Sequence, residues 1–379
     1  MKIAFVTNFC PHYRVKTFEV LAKYHPVDFF FFSEGDEWYW QHKHGVYKGS
    51  FHYEYLPGFR LGKIRISFAL CKRLLFGNYN VYIKSIEGRF ALPITYLIAR
   101  IKRKPFILWT GIWARIDTTA HNLFFPVTRY IYTKSDAIVT YGEHVKKYLV
   151  SEGASSEKIF LANQAIDNTF YSVTISDVEK ELLLEKLKIS PKEKMILYLG
   201  RLEESKGIEF LIKAFASLHQ NDIVLVLAGD GTEKTKLKEL VNNLDIGKKV
   251  RFPGYIQISD APTYYSAGYV FILPSITTNT FKEPWGLVIN EAFNQGLPVI
   301  TTDAVGAAAG GLVRNSYNGL VVKERDVSGL SQAMQKILDD PQLRDDLGKN
   351  AKATIALWDN ESMVLGFRQA IDYVTMNCK

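Results

Sequence analysis

Two short stretches of the chain hold the residue types best suited to chemistry. The first is GRLEESKG, residues 200–207. Gly200 closes an apolar run, which lets a ligand come close to the backbone there. Arg201 and Lys206 occupy the turn that leads into a helix starting near Gly207-Ile208. Two cations beside free backbone N–H groups suit a pyrophosphate. The same pattern also fits two solvated basic residues in a surface turn. The second stretch is KEPWGLVINEA, residues 282–292, with Glu283 and Glu291 separated by seven residues. Pro284 and Gly286 mark a turn and Leu287 opens a helix. Two carboxylates so placed can accept hydrogen bonds from vicinal hydroxyls, such as those of a ribose and a hexose. The backbone N–H groups of Gly286 and Leu287 can meet a phosphate or sugar oxygen. Taken alone, the pair also fits acids that favour a helix dipole or face water.

Both stretches follow apolar runs of strand length, and so does LAGDGTEKTKLKEL (227–240) between them. Strand candidates in this half are 195–200, 222–229, 249–254, 269–275, 298–302 and 319–322. Helical patterns at 207–219, 232–244, 286–296 and 327–338 separate them, and 341–356 and 360–375 follow. The first half has the same rhythm, with runs at 2–9, 27–32, 81–85, 105–110 and 137–142 and helical patterns at 90–103, 119–134 and 143–151. Short β-rich runs alternating with helices predict an α/β chain with parallel sheets wound on both sides. The spacing predicts two Rossmann-like domains, 1–170 and 195–357. A charged linker at 171–194 joins them, and a helix at 358–379 crosses back to the first. In such sheets ligands bind outside the carboxyl ends of the strands, so the cleft between two facing domains is the expected site.

Motif by motif, the second domain resembles glycosyltransferase family 4, the retaining group 1 glycosyltransferases of the GT-B fold. The residues that carry the resemblance are GRL-x3-KG at 200–207, AGDG at 228–231, RFPGYI at 251–256 and EPWGLVINEAFNQGLPVITTDAVG at 283–306. Weaker similarity runs through VTNFCPHYRV, TYGEHVKKYL and KIFLANQAIDNTFY in the first domain. The resemblance implies a retaining transfer of a sugar from a nucleotide diphosphate. Arg201 and Lys206 would hold the diphosphate and stabilise the charge that grows on it, without a divalent metal or other cofactor. Glu291 would bind the ribose hydroxyls and Glu283 the transferred sugar. Gly286 and Leu287 would offer backbone N–H groups. Tyr255, after Gly254, lies where family members cradle the base, although an exposed loop aromatic fits equally. Gly200, Gly229 and Gly231 would serve close approach and tight turns. Retention would rest on front-face attack, with the leaving phosphate taking the acceptor's proton.

Two departures concern the first domain. The family's Gly-Gly loop after the first strand is replaced by NFCPHYRV. Arg14 could supply a cation there, although a solvated arginine is the simpler expectation. Where the family often carries a histidine near the reacting sugar, FILWTGIW places Trp109 and Thr110. His12, His121 and His144 are loose alternatives, each expected to be structural or superficial, so no general base is assigned. The acceptor should meet this domain, through Arg14, Trp109 and Thr110 among others.

The net charge of +8 is uneven: residues 1–170 carry 23 Lys and Arg against 13 Asp and Glu, and residues 171–379 carry 24 against 26. Such an asymmetry speaks of one half's partner. Residues 59–76 combine Arg60, Lys63, Arg65, Lys72 and Arg73 with Leu, Ile and Phe, and 98–105 adds four more cations. This reads as a basic amphipathic segment for an anionic membrane, with a lipid-linked acceptor in view. Aromatic residues crowd 29–59: Phe29 to Phe32, then Trp38, Tyr39, Trp40, Tyr47, Phe51, Tyr53, Tyr55 and Phe59. Sugars and membrane interfaces both use such rings, and Phe29 to Phe32 are expected in the core. Cys10, Cys71 and Cys378 are scattered, which argues against disulfides or zinc. The opening residues lack a signal-peptide pattern, so the expected location is the cytoplasm, at most peripheral to the membrane's inner face. A nucleotide-sugar epimerase and a binding-only membrane-associated pseudo-enzyme are the alternatives. Nucleic acid is not an expected partner, because no recognition motif accompanies the basic charge.

Overall fold

In a computed structural model the chain is described over residues 1–33, 49–56, 58–62 and 64–377. Trp38, Tyr39, Trp40, Tyr47, Lys63 and Cys378 lie outside these residues. The chain divides into two units, Met1–Ile166 with Asp359–Lys379, and Asp167–Trp358.

The first unit runs β1 (Ile3–Thr7), α1 (His12–Tyr24), β2 (Val27–Phe31), β3 (Tyr53–Tyr55), β4 (Phe59–Leu61), β5 (Ile64–Ile66), α2 (Phe68–Phe76), β6 (Val81–Ser85), α3 (Ala91–Ile101), β7 (Phe106–Thr110), α4 (Thr119–Lys134), β8 (Ala137–Thr140), α5 (Glu143–Ser151) and β9 (Ile159–Leu161). Among the described residues seven strands form one parallel sheet in the order β3-β2-β1-β6-β7-β8-β9. Strands β1, β2, β6, β7 and β8 are buried along their whole length, which requires apolar residues on both faces. Alternate residues feed two cores. Phe5, Phe29 and Phe31 face one side; Ala4, Val6 and Phe30 face the other with Leu70 and Leu74 of α2, Ile98 of α3 and Ile131 of α4.

The second unit runs α6 (Asn168–Tyr171), α7 (Asp177–Lys186), β10 (Lys194–Leu199), α8 (Ile208–Ala216), β11 (Ile223–Ala228), α9 (Lys234–Asn243), β12 (Val250–Gly254), α10 (Ala261–Ala267), β13 (Val270–Leu273), α11 (Val288–Asn294), β14 (Val299–Thr302), α12 (Gly306–Ala309), β15 (Gly319–Val322), α13 (Val327–Asp339) and α14 (Pro341–Ile355). Its six parallel strands are ordered β12-β11-β10-β13-β14-β15. The last helix, α15 (Asn360–Asn377), packs in the first unit: Phe367 meets Phe5 at 5.8 Å and Trp109 at 5.5 Å between ring centroids.

Residues 59–76 are not one amphipathic segment. The chain reverses at Gly62 (φ +60°), and β4 and β5 on either side pair antiparallel as a hairpin. Ser67 then caps α2 by accepting a hydrogen bond from the Leu70 N–H at 3.2 Å. The strands β3 and β9, three residues each, were not expected; alternation cannot register over so short a run.

Candidate functional site

In the second sheet β10 and β13 are neighbours, and the chain goes from β10 outward to β11 and from β13 outward to β14. The winding reverses between them, so the loops leaving their carboxyl ends part and open a crevice there. These loops are 200–207 and 274–287, the two stretches that carry the chemistry. They are pressed together. Gly207 has φ +64°, and a Cβ on it would lie 2.0 Å from the Pro274 carbonyl oxygen. The Ile276 N–H donates to the Ser205 carbonyl at 2.9 Å. Only glycine accommodates that contact.

This junction joins Lys206 to Glu283. The ammonium forms an ion pair with Glu283 Oε2, and both side chains are nearly buried. Ser275 Oγ donates to the same oxygen at 3.3 Å, and Phe281 lies 5.5 Å under the Lys206 ammonium. Glu283 is fixed through its backbone as well, since the Gly306 N–H donates to its carbonyl at 3.1 Å. Arg201 pairs instead with Glu203 at 2.7 Å. Its carbonyl accepts the buried Tyr198 hydroxyl at 2.6 Å, which holds the turn. Arg201 is one-third exposed, whereas Lys206 is drawn inward.

Glu291 lies in the first turn of α11 and is buried. The Tyr265 hydroxyl of α10 donates to its Oε2 at 2.7 Å, and the Tyr171 hydroxyl is a second phenol donor to it. Burial raises the carboxyl to about 7, against the opposing pull of the two phenols. Neither Glu283 nor Glu291 faces water, which removes the reading of them as solvated helix-cap acids. Gly286 (φ +89°) is buried and Leu287 half-buried. The turn they form is locked by Trp285, whose Nε1 donates to buried Asn290 at 2.9 Å. Tyr255 is exposed on the loop after β12. Tyr171 and Tyr265 were missed in the sequence. Their one signal is that KIFLANQAIDNTFY ends on Tyr171.

The first sheet also reverses, between β1 and β6, and Thr7 and Ser85 meet there with hydroxyls 3.0 Å apart. Arg14 is not solvated. It is 6% exposed, donates to Gln164, to Tyr141 at 3.4 Å and to Met363 Sδ at 3.6 Å, and stacks on Trp109 at 4.9 Å. Its position on the inner face of α1 gives it aromatic and polar partners in place of water. Trp109 is buried beside it, and its Nε1 has no hydrogen-bond partner among the described residues. Thr110 is buried and its hydroxyl accepts the Ile112 N–H at 3.2 Å. His144 is buried against Trp113, and His121 is exposed on α4 beside Thr118. Two residues here escaped notice. Lys84 is fully buried in β6, and burial lowers its ammonium to about 7. It donates to the carbonyls of Ser85 at 2.6 Å and Glu87 at 2.7 Å and so pins the loop after β6. Glu87, on that loop, has a buried Oε2 with no hydrogen-bond partner among the described residues. A lysine inside the apolar run VYIKS was the available signal. No three His, Cys, Asp or Glu side chains gather as metal ligands among the described residues. None of the helices described is long and apolar enough to cross a membrane.

Residues 179–354 match the family model of glycosyl transferases group 1. An uncharacterized glycosyltransferase, MJ1607 of Methanocaldococcus jannaschii, is 27% identical over 232 residues, 60% of this chain and 58% of that protein. The lipopolysaccharide core biosynthesis glycosyltransferase LpsE of Rhizobium meliloti is 34% identical over 161 residues, 42% of this chain and 44% of LpsE. The chain thus spans about half the length of these curated relatives. Among solved structures, Anabaena Alr3699/HepE in complex with UDP superposes with a TM-score of 0.77 at 18% identity, covering 98% of this chain and 100% of that one. The fold is GT-B, with two Rossmann-like units.

Proposed function

We propose that this protein is a retaining glycosyltransferase of family 4. It moves a hexose-type sugar from a UDP- or GDP-sugar to a glycan or lipid-linked glycan acceptor in cell-surface polysaccharide or glycoconjugate synthesis. The observation that carries the reading is the gathering of Arg201, Lys206, Glu283 and Glu291 at the reversal point of the second sheet. In this reading Arg201 and Lys206 receive the diphosphate, and their charge offsets the negative charge that grows as the glycosidic bond breaks. No metal is required for that step. Glu291 accepts the ribose hydroxyls, Glu283 those of the transferred sugar, and Tyr255 flanks the base. Gly200, Gly286 and Leu287 bring backbone close to the donor. The HepE complex with UDP favours uridine among the bases. The acceptor meets the first unit, where Trp109 Nε1 and Glu87 Oε2, near the carboxyl edge of the sheet, are a buried donor and a buried acceptor without a hydrogen-bond partner among the described residues.

A thermal-shift series with UDP, GDP, ADP and dTDP, with and without EDTA, tests the reading. A ligand held at a hundred times its Kd stabilises the fold by about 2.7 kcal/mol. The expected result is stabilisation by one diphosphate, insensitive to EDTA and lost in Arg201→Ala. Stabilisation by none of them at millimolar concentration overturns the reading. Stabilisation that needs a metal overturns the metal-free step.

A further inference from the structure

Helices α2, α3 and α4 lie side by side on one face of the first sheet. They share one core, and α3 is tied to the end of α2 by Lys102, whose ammonium donates to the Leu75 carbonyl at 2.9 Å and to that of Gly77. The β4–β5 hairpin adjoins α2, with Phe59 and Phe68 rings 5.9 Å apart. The outward side of this layer is not covered by the described residues. Leu61, Phe68, Phe76, Ile101, Leu123 and Val127 stand exposed on it, from 47% for Val127 to 78% for Phe76. Nearly half of the large apolar side chains exposed among the described residues fall between 59 and 130. Single exposed apolar residues are ordinary, but a set concentrated on adjoining elements marks an interaction surface.

The charge of the same segment says what covers it. Residues 59–134 carry 14 Lys and Arg against two Asp and Glu. Arg60, Lys72, Arg103 and Lys134 are exposed among the apolar side chains. We infer that this layer is a docking surface for an anionic lipid bilayer. The apolar side chains enter the boundary of the acyl region and the cations meet the headgroup phosphates. Nucleic acid would leave the phenylalanine and leucine side chains in water. An acidic protein partner would need a complementary shape, which a bilayer does not. The surface belongs to three helices and a hairpin, not to residues 59–76 alone. It belongs to the first unit and shares no residue with the stretches that hold Arg201 and Glu291, so it stands whether or not the donor reading does.

Co-sedimentation with vesicles of phosphatidylcholine, with and without phosphatidylglycerol, tests the inference. Two double variants go with the wild-type chain: Phe76→Ser with Leu123→Ser, and Lys72→Glu with Arg103→Glu. The wild type should sediment with the anionic vesicles and weakly with the neutral ones. Each double variant should lose at least about tenfold in bound fraction at low salt. Unchanged thermal midpoints, and an unchanged response to UDP, show that the variants are folded and separate this result from the donor reading. Failure of the wild type to sediment with anionic vesicles overturns the inference. So does binding that the Phe76→Ser, Leu123→Ser variant retains, because the apolar layer would then play no part. A wild type that ignores vesicles but forms a dimer abolished by the same variant assigns the surface to a second copy of the chain.

Discussion

Glu291 is a carboxyl buried with the phenols of Tyr265 and Tyr171, and replacing it by glutamine separates its cost to the fold from its use. Moving the group from 4.5 in the unfolded chain to about 7 in the fold costs about 3 kcal/mol once both states are ionised. The sign follows from proton counting. Between these two values the native state holds the proton more tightly than the unfolded state, so stability falls as pH rises and levels off above about 7. Glutamine has nearly the same shape and keeps an oxygen for the Tyr265 hydroxyl. Its buried amide N–H groups cost about 1 kcal/mol. Glu291→Gln should therefore be more stable than wild type by about 2 kcal/mol at pH 8, a midpoint about 4–8 °C higher for a unit of this size. At pH 4.5 the advantage should vanish or reverse. Thermal unfolding at the two pH values reads the difference directly. A variant destabilised equally at both would mean that the carboxylate is ionised and held throughout, and the assignment of burial as the dominant influence would be wrong.

Two further outcomes follow from the geometry. Gly207→Ala must place a methyl 2.0 Å from the Pro274 carbonyl at φ +64°, so the second unit should lose more than about 2 kcal/mol in urea unfolding; an unchanged midpoint would mean that the two site loops are not in contact. Cys10 is buried and its thiol is pushed up to about 12, so iodoacetamide should spare it in the native protein at pH 8 and modify it in denaturant, as peptide mapping would show.

The alternation of apolar runs and helical patterns was enough to read two doubly wound sheets, because a parallel sheet covered on both faces needs long buried runs such as Ile3–Thr7 and Ile223–Ala228. The helices 119–134 and 143–151 fell on their expected residues. Thr118 caps the first, its side chain accepting the His121 N–H, and Gly142 precedes the second. Shorter elements escaped. The segment 59–76 carried one composition across a hairpin and a helix, and only the left-handed Gly62 and the cap Ser67 divide it. That Arg201, Lys206 and Glu283 fall near the sheet's reversal was legible because each sits in a loop next to a strand end, where chain order alone brings them there. Their partners were not. Tyr171 reaches Glu291 from 120 positions earlier in the chain, and Gln164 and Met363 enclose Arg14 from 150 and 349 positions away. Contacts of that kind depend on how helices pack, and a single sequence carries no local sign of them.

The pairing of cations at the site has a physical consequence under the proposed function. A buried ammonium without a partner is costly, and Lys206 is nearly buried. Glu283 supplies the partner, on a loop that Gly306 and Trp285 hold in place. Arg201, more exposed, is held by Glu203. Both cations are thus oriented by the fold and need little rearrangement to meet a diphosphate, which is the property that makes electrostatic stabilisation effective. A diphosphate that takes up the charge of Lys206 also loosens the claim of that lysine on Glu283, freeing carboxylate oxygens for sugar hydroxyls. One ion pair then serves two ends of the same ligand: it keeps the unliganded site from carrying an isolated charge, and it releases its acid to the sugar when the phosphates take up its base.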